Sequence, residues 1–115
     1  MEKDLEKRTK RFALDVIKFV AALSRARDAD ILGRQLLRSA TSIGANYREA
    51  GRGVSRPDFA HKIGTVEKEA AETQYWLELL IESGISAGAT ANELHRESSE
   101  LLAIFTTIGR KLKEN

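Results

Sequence analysis

Apolar residues recur along the chain at alternating spacings of four and three, which places their side chains on one face of an α-helix. Four such series occur in succession, and each is long enough to line one side of a helix of three or more turns. The series are Leu5, Thr9, Phe12, Val16, Phe19 and Leu23; Leu36, Ala40, Ile43 and Tyr47; Phe59, Ile63, Val66, Ala70, Thr73, Leu77 and Leu80; and Leu94, Ser98, Leu101, Phe105, Ile108 and Leu112. They predict helices over about residues 3–25, 29–50, 56–83 and 89–113.

Residues that favour helix ends separate the four series. Asp28 or Asp30 is expected to cap the second helix, Ser55 the third and Thr90 the fourth, although Ser86 could start the fourth helix a turn earlier. The glycines expected to end the second and third helices are Gly51, Gly53 and Gly84. Four helices with short connections predict an all-α fold, an up-down-up-down antiparallel four-helix bundle in which residues 1–115 form a single domain.

Some apolar residues lie outside the four stripes and cannot all be buried in one bundle. A surface with several such residues is typical of a protein that binds another protein or itself. We therefore expect a homo-oligomer. The residues are Leu14, Ile17, Ile31, Leu37, Tyr75, Trp76, Leu79 and Ile81.

The second helix carries a line of small and polar residues beside its core stripe, namely Ser39, Ser42, Asn46 and Glu49. Small side chains let two helix backbones approach closely, and their polar groups can form hydrogen bonds across the contact. This line is therefore interpreted as a packing surface between helices or subunits. A functional surface is the alternative.

The antiparallel register of the second and third helices places Glu69 and Glu72 beside Arg38 and Arg34, with which we expect them to pair. In the same register Glu49 and Glu72 are about 20 Å apart, too far to share an ion within one chain. Neither histidine follows a glutamate by three positions, as the two-iron bundles require. No metal and no other cofactor is expected.

The composition argues against several other functions. The chain has no Cys, so disulfides and thiolate chemistry are excluded. No glycine-rich phosphate loop follows a predicted strand, and no serine is paired with a base by a known sequence pattern. A noncatalytic protein is expected. Without a targeting segment or an apolar run of about 18 residues, a cytoplasmic location away from membranes is also expected.

The charge is distributed unevenly although the net charge is only +2. Residues 1–56 hold 13 Lys/Arg against 7 Asp/Glu, a balance of +6, and residues 57–115 hold 6 against 10, a balance of −4. In an antiparallel bundle the start of the first helix lies beside the second connection, so their cations should gather at one end and attract nucleic acid. This predicted cluster comprises Lys3, Lys7, Arg8, Lys10, Arg11, Arg48, Arg52 and Arg56.

Residues 36–84 carry a family resemblance that extends over nearly the whole chain. The most specific segments are Arg38-Ser39-Ala40, Lys68-Glu69-Ala70 and Tyr75-Trp76-Leu77. They resemble the bacterial four-helix-bundle proteins encoded by intervening sequences in 23S ribosomal RNA genes.

The resemblance implies a ring-shaped homopentamer and no catalytic residues. That family is similar in fold to the accessory variability protein of diversity-generating retroelements, a basic barrel-shaped pentamer that binds nucleic acid and a reverse transcriptase. RNA or DNA and a nucleic-acid-processing protein are therefore expected partners. The nearly balanced charge of this chain differs from that of the accessory protein, so two hypotheses stay open. One is a homo-oligomeric scaffold that binds structured RNA or a nucleoprotein, and the other is an oligomeric protein-interaction module that binds no nucleic acid.

Overall fold

The computed structural model describes residues 4–114, which form four α-helices and no strand. The helices are α1, Leu5–Ala21; α2, Arg27–Ala50; α3, Arg56–Glu82; and α4, Ala89–Lys113. Consecutive helices are antiparallel: Glu67 and Gln74 on α3 bond in turn to Thr106 and Ser99 on α4, at 3.0 and 2.9 Å. The all-α four-helix prediction is confirmed.

Each helix contacts two neighbours around the bundle. α1 packs on α2 and α4, and α3 also packs on α2 and α4. Within residues 4–114 the backbones of the diagonal pairs stay apart, and their side chains meet only across the core, as the rings of Tyr47 and Phe105 do at a centroid distance of 5.3 Å. The molecule is elongated, at 47 × 22 × 21 Å. The outer faces of α1 and α3 therefore point in opposite directions.

The predicted stripes form the core. Phe12, Leu36, Ile63 and Leu101, one from each helix, are almost completely buried in a single cluster. Continuous apolar stripes of this kind hold a bundle together because burying each large side chain contributes about 1.5–3 kcal/mol.

α2 approaches both of its neighbours closely through small residues. A Cβ atom added at Gly44 would lie 3.2 Å from the Thr9 hydroxyl oxygen and 3.5 Å from the Thr9 carbonyl carbon on α1. On the other side, the buried hydroxyl groups of Ser39 and Thr73 share a hydrogen bond of 2.8 Å between α2 and α3. Larger residues at these positions would push the helices apart.

Two helix starts and one helix end differ from the sequence predictions. α2 begins after Ala26 without a side-chain cap, and Asp28 and Asp30 instead lie in its first turn, where carboxylates interact favourably with the helix dipole. α4 begins after Gly88, two residues before the expected cap Thr90. α1 ends at Ala21, short of residue 25, and Leu23 lies in the connection, with its side chain beside Gly33 on α2.

The start of α3 agrees with its sequence signal. The Ser55 hydroxyl accepts a hydrogen bond from the Asp58 N–H at 3.2 Å, and Pro57 occupies the first turn. Gly53, with φ of +70°, lets the chain turn into this cap. The connection between α2 and α3 is thus fixed by local sequence.

We predict that Gly44→Leu destabilises the fold by about 1–3 kcal/mol, because the new side chain would clash with α1 where the backbones are closest. Gly64→Leu is the matched control, since Gly64 lies within α3 and a Cβ there would meet nothing within 4 Å. Leucine favours helix, so the control should be neutral or more stable by up to about 1 kcal/mol. Urea unfolding measures both, and equal effects would contradict the close α1–α2 contact.

Candidate nucleic-acid interface

One end of the bundle brings together the start of α1, the connection between α2 and α3, and the end of α4. Arg48 near the end of α2 forms an ion pair of 3.1 Å with Glu6 on α1. Leu5, Phe59 and Lys111 line one groove, which places the last turns of α4 beside the first turns of α1 and α3. We call this the basic end, and its cations are Lys7, Arg48, Arg52, Arg56, Arg110, Lys111 and Lys113.

Most cations of the basic end face solvent without a carboxylate partner. Arg52, Arg56 and Lys111 are exposed and form no ion pair within 4 Å with any residue between 4 and 114, although the charge of Arg52 helps to lower the pKa of the nearby Glu49 carboxyl group. Carboxylates are present at the same end, at Asp4, Glu6, Glu49, Asp58 and Glu114, but Glu6 is already bound to Arg48 and Glu49 to Lys62. A set of unpaired cations in one region suits phosphate groups.

Three cations of this end were not part of the predicted cluster: Arg110, Lys111 and Lys113. They are the basic residues of the last turn of α4, where cations interact favourably with the helix dipole. The sequence signal was available, because an antiparallel bundle must return the end of its fourth helix to the start of its first. They extend the cationic surface across α4.

An apolar groove of about 680 Å³ opens between these cations. Its main lining residues are Leu5, Tyr47, Phe59, Ile104, Ile108 and Leu112, with Arg56 and Lys111 also bordering it. Burial, followed by the nearby Glu6 carboxylate, raises the pKa of the Tyr47 phenol above its ordinary value. The phenol therefore stays neutral at physiological pH. The groove offers aromatic and aliphatic surface directly beside positive charge.

Arg8 belongs to the predicted cluster but is held by α4. Its guanidinium donates to Glu97 at 2.7 and 2.8 Å and to Glu100 at 2.7 Å. The hydrogen bond to Glu97 raises the pKa of Arg8 above its ordinary value, with Glu100 adding to the effect. Its principal role in the described structure is to join α1 to α4.

The remaining cations of the predicted cluster lie along α1. Lys7, Lys10 and Arg11 are exposed, and Lys7 and Lys10 border a shallow pocket that also includes Arg48. Lys3 lies outside the described residues. The predicted cluster is thus divided among the basic end, the α1–α4 contact and the outer side of α1.

The small polar line on α2 lies along the contact with α3, but its members act differently. Ser39 is buried and bonds to Thr73, and Glu49 binds Lys62 on α3 at 2.9 Å. Asn46 instead donates to the Ser42 carbonyl within its own helix at 2.9 Å. The hydrogen bond from Lys62 lowers the pKa of the exposed Glu49 carboxyl group.

The acidic and aromatic residues predicted for packing lie on α3. Arg38 binds both Glu69 and Glu72, whereas Arg34, expected to join them, pairs with Asp30 one turn earlier in its own helix. The pairing differs from the prediction because the single guanidinium of Arg38 reaches both carboxylates, which are three residues apart on α3. These pairs fasten α2 to α3.

The aromatic pair of α3, Tyr75 and Trp76, is partly exposed to solvent. Tyr75 is 53% exposed and contacts Trp76 edge to face, with ring centroids 5.3 Å apart. Trp76 packs against the core, and its indole N–H is buried without a hydrogen-bond partner among the described residues. Leu79, predicted to face water, is half-buried, because it lies on the side of α3 that borders α2.

Residues 4–114 offer neither a metal site nor a membrane-spanning helix. No group of three or more His, Cys, Asp or Glu side chains in this part of the chain is arranged to hold a metal ion. None of its helices combines the length and the apolar character needed to cross a bilayer.

Comparison with known proteins identifies the family. The family model of the 23S rRNA-intervening sequence proteins matches residues 2–107. The chain belongs to this family. A solved crystal structure, that of a protein of unknown function from the S23 ribosomal protein family of Bacteroides thetaiotaomicron VPI-5482, has the same fold, with a TM-score of 0.83. It is 35% identical over 90% of this chain and 96% of its own. No curated protein matches.

The match to the 23S rRNA-intervening sequence family covers only part of the basic end. It includes Arg48, Arg52 and Arg56 but stops at residue 107, before Arg110, Lys111 and Lys113. Family membership therefore says nothing about the α4 cations, whose role is inferred from their position and charge in this chain. The resemblance drawn from the sequence is confirmed as family membership.

We predict that Arg8→Ala lowers the free energy of unfolding by about 1–2 kcal/mol, because two carboxylates of α4 lose their charged hydrogen-bond donor. Arg11→Ala is the control: Arg11 is exposed and one turn away, and its loss should change stability by less than about 0.5 kcal/mol. Chemical denaturation compares the two. If Arg8→Ala is as stable as the wild type, the contact with Glu97 contributes nothing to the fold.

Proposed function

We propose that this protein is a noncatalytic homo-oligomeric scaffold that binds structured RNA, or a nucleoprotein containing it, through the basic end. The observation that carries the proposal is the group of exposed cations without carboxylate partners around Arg52, Arg56 and Lys111. Each phosphate that such a cation neutralises releases bound counterions, which favours association at low salt.

The arrangement of the cations favours binding to the surface of a folded RNA over recognition of a specific base sequence. The cations come from three separate segments, and two of them, Arg56 and Lys111, border an apolar groove, so the basic end can contact phosphates on more than one strand. None of the described elements resembles a recognition helix held by a second helix across it, as sequence-specific DNA readers have. We therefore expect binding that depends on salt and RNA shape more than on base sequence.

Homo-oligomer formation would strengthen a weak site. Leu14, Ile17 and Tyr75 are each about half exposed, which is more apolar surface than a small monomer needs to show. Several copies of one basic end on a ring, expected to be a homopentamer, would bind a long RNA with higher avidity than a single copy.

A noncatalytic role is part of the proposal. The hydroxyl groups of Thr9, Thr41 and Ser98 donate to backbone carbonyls of their own helices, which is a packing role. His95 is bound to Glu78 at 3.0 Å rather than to a nucleophile. These contacts stabilise helices and supply no reacting group.

The second candidate function is an oligomeric protein-interaction module without nucleic-acid binding. It is favoured by the carboxylates that share the basic end, and by the small net charge of +2. In that case the groove between Arg56 and Lys111 would accept an acidic, partly apolar segment of a protein, such as one that processes nucleic acid.

RNA binding across a salt series distinguishes the two candidates. We expect Arg52→Ala/Arg56→Ala/Lys111→Ala to weaken binding of a labelled ribosomal RNA fragment by at least about tenfold at 100 mM salt, and to reduce the salt slope by about two to three. A DNA duplex of equal length shows whether the site prefers RNA. Fluorescence anisotropy provides the readout.

The matched control removes the same number of cations elsewhere. Arg25→Ala/Arg27→Ala/Arg96→Ala changes the net charge equally but leaves the basic end intact, because Arg25 and Arg27 lie at the opposite end of the bundle. Equal losses in both triple variants would mean a diffuse charge effect. No binding by the wild type at about 50 mM salt would refute RNA binding and favour the second candidate.

A further inference from the structure

The outer faces of α1 and α3 have complementary properties, which suggests how copies of the chain meet. We propose that the protein assembles head to tail, with the outer face of α1 in one copy packed against the outer face of α3 in the next. This inference rests on the homo-oligomer of the proposed function and names its contact.

The α1 face combines apolar residues with positive charge. Leu14 and Ile17 are 50% and 45% exposed, on the side of α1 that points away from its core stripe. Lys10 borders them towards α2, and Lys18 borders them towards α4. The α1 face is thus an apolar centre between two lysines, with the exposed Asp15 beside Lys18 on the α4 side.

The α3 face combines apolar residues with negative charge. Tyr75 is 53% exposed at its centre, supported by Trp76 at 5.3 Å and flanked by the half-buried Leu79. Glu78 lies towards α4, where it bonds to His95, and the exposed Glu82 lies two turns after Tyr75. Aromatic residues of this kind often dominate the binding energy of protein contacts.

The position of the two faces determines the type of contact. α1 and α3 are diagonal in the bundle and their outer faces lie on opposite sides, so one copy cannot bring its own two faces together. When two copies pair through different faces, one copy keeps an unused α1 face and the other keeps an unused α3 face. Such heterologous contacts extend until the assembly closes into a ring or continues as a filament.

Charge also disfavours the symmetric alternatives. Two α1 faces would bring Lys10 and Lys18 of both copies together, and two α3 faces would bring Glu78 and Glu82 together. Like charges across a contact disfavour that pairing, whereas α1 on α3 places lysines opposite glutamates. Lys10 then belongs to the contact between copies, and the basic end keeps its cations of the α2–α3 connection and of α4.

Variants that remove one face at a time test the proposal. We expect both Leu14→Asp/Ile17→Asp and Tyr75→Asp to reduce the molar mass in light scattering from a multiple of 12.8 kDa to the single chain. Ile31→Asp is the matched control: Ile31 is also 53% exposed but lies on α2, so this variant should keep the wild-type mass. Circular dichroism checks that each variant is folded.

Mixing the two face variants gives the decisive result. Each retains the face that the other lacks, so two variants that are monomeric alone should form a dimer and nothing larger when they are mixed one to one. An α1–α1 or α3–α3 contact would instead leave one of the two variants dimeric by itself. If an aspartate variant is unfolded, Lys10→Glu/Lys18→Glu and Glu78→Lys/Glu82→Lys replace the pair. Each should be monomeric alone, and their mixture should regain assemblies larger than a dimer, because the two unchanged faces and the two reversed faces are both complementary.

The outcomes separate this inference from the proposed function. A wild type that is oligomeric, with both face variants keeping its mass, overturns the α1–α3 contact and leaves the scaffold proposal standing. A monomeric wild type refutes the homo-oligomer itself. A dimer from the mixed variants supports the proposed contact.

Discussion

The close approach of α2 to both of its neighbours is the constraint on which the rest of the molecule depends. Gly44 has no side chain, so the backbone of α1 can come close to α2 at Thr9. The buried hydrogen bond between Ser39 and Thr73 joins α2 to α3. Because α2 packs against α1 on one side and against α3 on the other, α1 and α3 occupy diagonal positions in the bundle. Their outer faces therefore point in opposite directions. That arrangement makes a head-to-tail contact between copies geometrically possible.

The same packing order creates the basic end. Antiparallel helices with connections of five or six residues must return the start of α1, the turn after α2 and the end of α4 to one place. Positive charge near helix C-termini is locally favourable, which accounts for Arg48 and for the last turn of α4. The cationic surface is therefore a product of the topology, and phosphate binding would exploit charges that already suit the helices.

Most of the fold could be predicted from the sequence, because the apolar spacing and the Ser55 cap are local signals. The register between helices also follows from the turn lengths, which brought Arg38 beside Glu69 and Glu72. The hydrogen-bond partner of an individual polar side chain cannot be predicted in this way. Arg8 bonds to Glu97 and Glu100, 89 and 92 residues away along the chain, and no sequence pattern specifies that choice. The cations of α4 could have been predicted as well, because the antiparallel order alone returns the end of α4 to the start of α1.

Cross-linking tests the central claim, that the basic end is the surface that meets RNA, most directly. The intact protein would be irradiated with a labelled ribosomal RNA fragment, and the attached peptides identified by mass spectrometry. The account predicts attachment within residues 47–59 and 104–113, the segments that line the apolar groove and carry the unpaired cations. Attachment mainly to the outer face of α3 around Tyr75, or attachment that persists unchanged at high salt, would contradict it.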